Sequence, residues 1–259
     1  MKEWFLHYKE AIRISLLALF RWTLLAVCTG VLCGGIGTLF HLAVEWVTEQ
    51  RAEQVWLLWL LPAAGIAITE LILDLHLGNV ILCDSKGIVM EGNPRNNAVK
   101  EEIAHRTNPI HQSGTLKEAI HNADVFVGVS QANMVTPEMV RSMDRDPIIF
   151  AMANPTPEIL PDVAKQAGAK VVGTGRSDFP NQVNNVLAFP GIFRGALDAK
   201  ARKITKNMKI AAAKAIAGVI SDDELNVDNI LPKPFDKRVK VAVSKAVFDA
   251  AKADGVCRM

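Results

Sequence analysis

The stretch Leu57-Leu58-Trp59-Leu60-Leu61-Pro62-Ala63-Ala64-Gly65-Ile66-Ala67-Ile68 decides how the chain divides. Upstream of it the pattern is that of a membrane segment. Downstream, short apolar strands alternate with helices, as in a soluble α/β fold. As the end of the first part the stretch reads as an apolar helix. As the start of the second it stands where a glycine-rich phosphate loop would enter a helix.

The two flanks differ in composition. All five tryptophans and the only tyrosine, Tyr8, fall before residue 60. The 23 residues from Trp22 to Val44 carry no Asp, Glu, Lys or Arg, long enough as a helix to cross a bilayer core of roughly 30 Å. Lys9, Arg13 and Arg21 precede that run and Trp46 follows it, which predicts a membrane anchor with a cytoplasmic amino terminus. The α/β domain is also expected to be cytoplasmic, which takes a second crossing. Without the span, the chain would be cytoplasmic throughout. Gly30 and Gly34 stand four apart and suit close helix packing. The second apolar run, Val55 to Ile68, has only 14 residues and carries Pro62, so it is short for a span.

A net charge of +2 gives no argument for nucleic acid as a partner. Cys28, Cys33, Cys83 and Cys257 lack metal-type spacing and read as free thiols.

Phe20-Arg21-Trp22, Gly30-Val31-Leu32-Cys33-Gly34, Phe40 to Trp46 and Trp59 to Gly65 resemble the opening helices of a CLC-type chloride channel or transporter, over about residues 5–66. That family builds its anion site from later segments, including G-S-G-I-P-E-like and G-x-F-x-P-like loops at helix N-termini. Neither pattern occurs in this chain, and two helices cannot enclose an anion pathway.

From residue 70 onward, Asn79-Val80-Ile81-Leu82-Cys83, Asp124 to Val129, Pro147 to Ala153 and Lys170 to Gly173 read as buried strands. Thr115 and Thr136-Pro137-Glu138 are helix starts, and Pro161 to Ala167 is a helix closed by Gly168. Asn207 to Ile220 and Asp236 to Ala253 read as two further helices. The expected fold class is α/β: a Rossmann-like parallel sheet with helices on both faces, preceded by an all-α membrane segment of one or two helices. The domains are 1–62 and 63–259.

In such sheets ligands sit beyond the carboxyl ends of the strands. Asp84, Ser130, Asn154 and Thr174-Gly175-Arg176 occupy those ends. Asp84 lies 19 residues past Gly65, the spacing of an acid that binds a ribose hydroxyl pair or, equally, of a turn aspartate. Asn154-Pro155 also suits a turn. The stretch Gly173 to Leu197 is a polar loop entering a helix, in which Asn184 and Asn185 either hold a carboxylate substrate or cap the helix. Asp178 and Asp198 read as partners of Arg176 and Arg194.

The stretch Gly173 to Leu197, with Val80 to Gly87, Thr136 to Met139, Ala153 to Glu158 and Gly65 to Ile68, closely resembles the C-terminal NAD(P)-binding half of malic enzymes, over about residues 63–259. The resemblance implies oxidation of malate with NAD or NADP and decarboxylation of the bound oxaloacetate to pyruvate, with a divalent Mg or Mn ion. It implies that Asn154 and Asn184 hold malate and that Asn185 sits beside the nicotinamide. It places Asp84, Ser85 and Lys86 at the adenosine ribose, and Gly65 and Ser130 in the remaining cofactor contacts. Lys86 could neutralise a 2′-phosphate, which leaves the choice between NAD and NADP open.

The chain departs from that family in two places. The half that supplies a tyrosine acid, a lysine base and three metal-binding carboxylates is absent, so no residue here is assigned a catalytic or metal-binding role. The chain has no tyrosine beyond Tyr8, so a tyrosine acid would have to come from a partner chain; assembly as a homo-oligomer is a separate expectation. The family loop Gly-x-Gly-x-x-Gly places Leu60 and Pro62 where its first two glycines belong, and Pro62 has no N–H to give a pyrophosphate. The expectation is an NAD(P)-binding half with weakened or lost cofactor affinity, inactive alone. The alternatives are a non-catalytic membrane-tethered module, a chloride-transport fragment, or a chimera of two genes joined at Ala63-Ala64-Gly65.

Overall fold

A computed structural model describes residues 61–258 of the chain, which divides into two units, Met1–Trp59 and Leu60–Met259. The expected span 22–44 and most of the channel-like run 5–66 lie outside the described residues. Among the described residues no helix is long and apolar enough to cross a membrane.

Helix α1 (Leu61–Asp74) contains Gly65. An extended segment then leads to β1 (Cys83–Asp84), which turns through Ser85 and Lys86 into the antiparallel β2 (Gly87–Ile88). This corrects the expectation for Asn79–Cys83. Only Cys83 of that run enters a strand, and the strand pairs within its own hairpin, not with the parallel sheet. The apolar residues are used differently. The carbonyl of Val80 accepts the Asn108 N–H at 2.7 Å, and that of Leu82 accepts the Val89 N–H at 2.8 Å. Gly87, at φ +114°, makes the diversion possible, because a Cβ there would lie 2.2 Å from the Gly114 carbonyl oxygen. Ile88 donates its N–H to that same oxygen at 2.9 Å.

Helix α2 (Ala98–Ala104) starts at Asn97, whose side chain accepts the Lys100 N–H. Helix α3 (Leu116–Ile120) opens on Thr115, the start the sequence predicts, which forms a capping box with Glu118. The remaining three apolar runs become β3 (Val125–Gly128), β4 (Ile148–Ala151) and β5 (Val171–Thr174), a parallel sheet in chain order. Its register sets Val125 against Ile148 and Ile148 against Val171. Between the strands run α4 (Pro137–Arg141), capped by Thr136, and α5 (Pro161–Gln166), which opens on its proline. Gly168 follows α5 at φ +112°.

Strand alternation decides which side chains enter the core. Ile149, Ala151 and Val172 face Ile120, Val140 and Ala164 from α3, α4 and α5 in one buried cluster. On the opposite face Val127 and Phe150 remain half-buried, so the expected two-sided cover is met fully on one side.

After β5 a 3-10 turn (Asn185–Leu187) leads into α6 (Phe189–Asp198), α7 (Lys206–Ala217) and α8 (Lys237–Ala253). Met208, Val243 and Val247 centre a second core there. Gly191 and Gly195 let α6 approach α8 closely. A Cβ on Gly195 would lie 2.4 Å from the Ser244 carbonyl oxygen and 2.8 Å from Val247 Cβ.

Candidate functional site

The carboxyl ends of β3, β4 and β5 carry three loops that are bonded to one another. After β3 comes Ser130, exposed, whose N–H donates to Glu158 Oε1 at 2.8 Å. After β4 comes Asn154, also exposed and joined to Pro155 by a cis peptide. Following β5, Arg176 grips Asp178 through two bonds, Nε to Oδ1 at 2.8 Å and one terminal nitrogen to Oδ2 at 2.6 Å. Its other terminal nitrogen donates to the Pro155 carbonyl at 3.4 Å, tying the third loop to the second. The hydrogen bonds from Arg176 hold the Asp178 carboxyl below the usual carboxylate range. Asp178 and Asp198 are thus the partners of Arg176 and Arg194 that the sequence suggests.

Asn181 organises the way from β5 to the paired asparagines. It is buried and adopts φ +54°. Its amide nitrogen donates to the carbonyls of Val172 at 3.2 Å and Val227 at 2.8 Å, and its oxygen accepts the Ile230 N–H at 2.9 Å. Two residues on, Val183 donates its N–H to the Thr174 carbonyl at 2.8 Å, which fixes where the chain leaves the sheet. Asn184 then caps the 3-10 turn, its Oδ1 accepting the Val186 N–H at 3.0 Å. Of the two readings of Asn184, the geometry displays the cap. Asn185, the first residue of the turn, is exposed. A cavity of about 220 Å³ lies beside this turn, lined by Val186, Leu187, Pro190, Pro234, Phe235 and Lys240, and none of the candidate residues lines it.

Asp84 ends β1 in the hairpin instead of a sheet strand. Its Oδ1 accepts the Lys86 N–H at 2.8 Å, and its Oδ2 meets Lys100 Nζ at 2.5 Å. Burial on its own would raise this carboxyl. The hydrogen bonds from Lys100 and Lys86 and the charges of Lys100 and Arg95 outweigh it, so the group is held low and stays ionised. Next to it the Cys83 thiol is pushed up to about 12 by burial and by the Asp84 charge, which keeps it protonated and unreactive. Ser85 and Lys86 are exposed on the turn. Gly65 lies inside α1, its carbonyl accepting the Thr69 hydroxyl at 2.8 Å. A Cβ at Gly65 would reach no nearer than 4.0 Å to Leu82, so packing within the described residues does not require this glycine.

The strand-end loops thus gather Ser130 and Asn154, and β5 leads directly to Asn184 and Asn185. The hairpin with Asp84, Ser85 and Lys86 is a separate two-stranded unit, bonded through β2 to the segment at Gly114. Sequence reading assigned no role to Lys100, Asn181 or Glu158 individually. Lys100 gives no signal, since it reaches Asp84 only through the placement of α2. Glu158 and Asn181 give none either, since their partners lie 28 and 46 residues away along the chain.

A hard divalent cation is held by oxygen ligands, carboxylates among them. Among the described residues no group of three or more His, Cys, Asp or Glu side chains could hold one. The described residues thus bring together no ligand set for the ion that the resemblance implies.

Comparison with known proteins agrees with the geometry. The family model described as malic enzyme, NAD binding domain, matches residues 69–252. The bifunctional malic/malolactic enzyme of Bacillus subtilis (strain 168) is 60% identical over 198 residues, which cover 76% of this chain and 48% of that protein. The NADP-dependent malic enzyme of Rhizobium meliloti (strain 1021) is 45% identical over 214 residues, covering 76% of this chain and 28% of that protein. Among solved structures, an NAD-dependent malic enzyme from Thermotoga maritima superposes with a TM-score of 0.67 at 48% identity, covering 71% of this chain and 48% of that one. The chain spans less than half the length of these relatives. With the parallel sheet, its strand-end loops and a family match over most of its length, the chain belongs to the family of malic enzyme NAD-binding domains.

Proposed function

We propose that residues 63–259 form the nucleotide-binding half of a malic-enzyme catalyst. Its family reaction is the oxidation of malate by NAD or NADP and decarboxylation to pyruvate. In this reading the dinucleotide lies across the carboxyl ends of β3–β5. Asp84, Ser85 and Lys86 meet the adenosine ribose, Gly65 and Ser130 complete the cofactor contacts, and Asn185 lies beside the nicotinamide. Asn154 and Asn184 hold malate. The observation that carries the proposal is the bonding of the Ser130, Asn154 and Arg176 loops into one rim that leads through Asn181 to the paired asparagines.

The proton-transfer and metal groups that complete the family reaction are expected from a partner chain that carries the missing half. Cofactor affinity is expected to be low, because Leu60 and Pro62 replace the two glycines that let a backbone approach pyrophosphate. Lys86 is exposed on its turn and Lys100 already neutralises Asp84, so a 2′-phosphate is tolerated and both NAD and NADP bind. The apolar run 22–44 supports a bilayer tether as part of the same reading, and membrane retention through a carbonate wash tests it.

The assignment of residues is tested by saturation-transfer NMR with NAD and NADP. Asp84→Asn is expected to weaken transfer to the adenosine protons, and Asn185→Ala transfer to the nicotinamide protons. Lys86→Ala should lower binding of NADP and spare NAD. Spectra unchanged in all three variants would overturn the assignment.

A further inference from the structure

Glu158 has no exposed surface, and it serves two loops at once. Its Oε1 accepts the N–H of Ser130, after β3, at 2.8 Å, and its Oε2 accepts the N–H of Ala153, after β4, at 3.0 Å. The backbone around it reinforces the link. Val135 donates its N–H to the Glu158 carbonyl at 3.0 Å, and Asn133 donates its own to the Pro157 carbonyl at 3.1 Å. The last residue of β3 is shaped to admit the carboxylate, since a Cβ on Gly128 would lie 2.5 Å from Glu158 Cδ.

A buried carboxylate is costly unless it is well hydrogen-bonded, and among the described residues Glu158 forms no salt bridge. No neutral side chain of the same shape could replace it. Glutamine offers one acceptor oxygen and would point an NH₂ group at the other backbone N–H. The two N–H groups it holds belong to Ser130 and to the neighbour of Asn154, residues that the reading above assigns to cofactor and to malate. Because the carboxylate is one rigid planar group, displacing either loop alters its bond to the other.

We propose that Glu158 is a positioning residue that couples the two halves of the site, so that dinucleotide and dicarboxylate bind cooperatively. The inference rests on the reading of the strand ends as the nucleotide and malate site. Linkage requires the effect to be reciprocal: malate tightens the dinucleotide by the factor by which the dinucleotide tightens malate.

The test is a titration of the full chain with NADH, with and without saturating L-malate, repeated on Glu158→Gln. In the unchanged chain malate should tighten NADH by about 5-fold or more, at the low end of ordinary coupling. In Glu158→Gln that ratio should fall to about one while NADH alone still binds. A merely structural role would lower resistance to urea in the variant and leave the ratio intact. A ratio preserved in Glu158→Gln, or absent from the unchanged chain although both ligands bind, overturns the coupling alone. Failure of the unchanged chain to bind either ligand overturns the site reading, and the coupling falls with it. Should Glu158→Gln not fold, amide exchange in the unchanged chain decides. NADH alone should slow exchange at Ala153 and malate alone at Ser130, and exchange at each that ignores the ligand of the other loop contradicts the proposal.

Discussion

Asp84 Oδ2 and Lys100 Nζ lie 2.5 Å apart, joining the hairpin turn to helix α2 across 16 residues of chain. The contact makes Asp84 an ionised, oriented acceptor before any ligand arrives. It also means that a ribose must share the carboxylate with an ammonium group instead of finding it free.

The same pair predicts a pH dependence of stability. The folded-state value of Asp84 is lowered, whereas in the unfolded chain the group titrates at about 3.9. Its contribution is therefore present above the unfolded value and is lost as pH falls through the folded one. Thermal unfolding of the chain and of Asp84→Asn should differ by a constant amount above about pH 5 and converge below about pH 4. A difference that persists unchanged into strong acid would show that the carboxylate does not stabilise the fold.

Two glycines in helices should respond in opposite ways to alanine. Gly195→Ala puts a Cβ 2.4 Å from the Ser244 carbonyl oxygen, a backbone atom that cannot swing aside. The expected loss is about 1–3 kcal/mol, despite the better helix propensity of alanine. Gly65→Ala meets nothing nearer than 4.0 Å and should be neutral or stabilising by up to about 1 kcal/mol. Urea unfolding of both variants measures this directly.

Asn184 offers a way to separate a cap from a ligand contact. Asn184→Ser keeps an oxygen able to accept the Val186 N–H and should preserve stability, while Asn184→Ala should cost about 1 kcal/mol. Both should lose malate affinity if the amide holds substrate. Equal malate binding by chain and serine variant, followed by calorimetry, would confine Asn184 to capping.

How far the sequence discloses this molecule depends on whether the governing interactions are local. Thr115, Thr136 and Pro161 announce their helices because caps and first-turn prolines act within a few residues. Strands β3 to β5 are legible from continuous apolar runs. The run Asn79–Cys83 has the same composition, yet its partner is chosen by the close approach of Gly87 to Gly114, far along the chain. Asn154, Asn184 and Asn185 stand out in the sequence through the family resemblance. The carboxylate of Glu158 and the amide of Asn181 act through bonds spanning 28 and 46 residues, which no local pattern encodes.

The central claim is that the strand ends form a dinucleotide site weakened by the loss of two loop glycines. Fluorescence titration of the chain with NADH tests it most directly. Hydrogen bonds to a charged group are worth roughly 1.5–3 kcal/mol each, so losing the pyrophosphate contacts should leave a Kd of about 0.1–1 mM. A micromolar Kd would contradict the account of the loop, and no saturable binding up to about 10 mM would contradict the site itself.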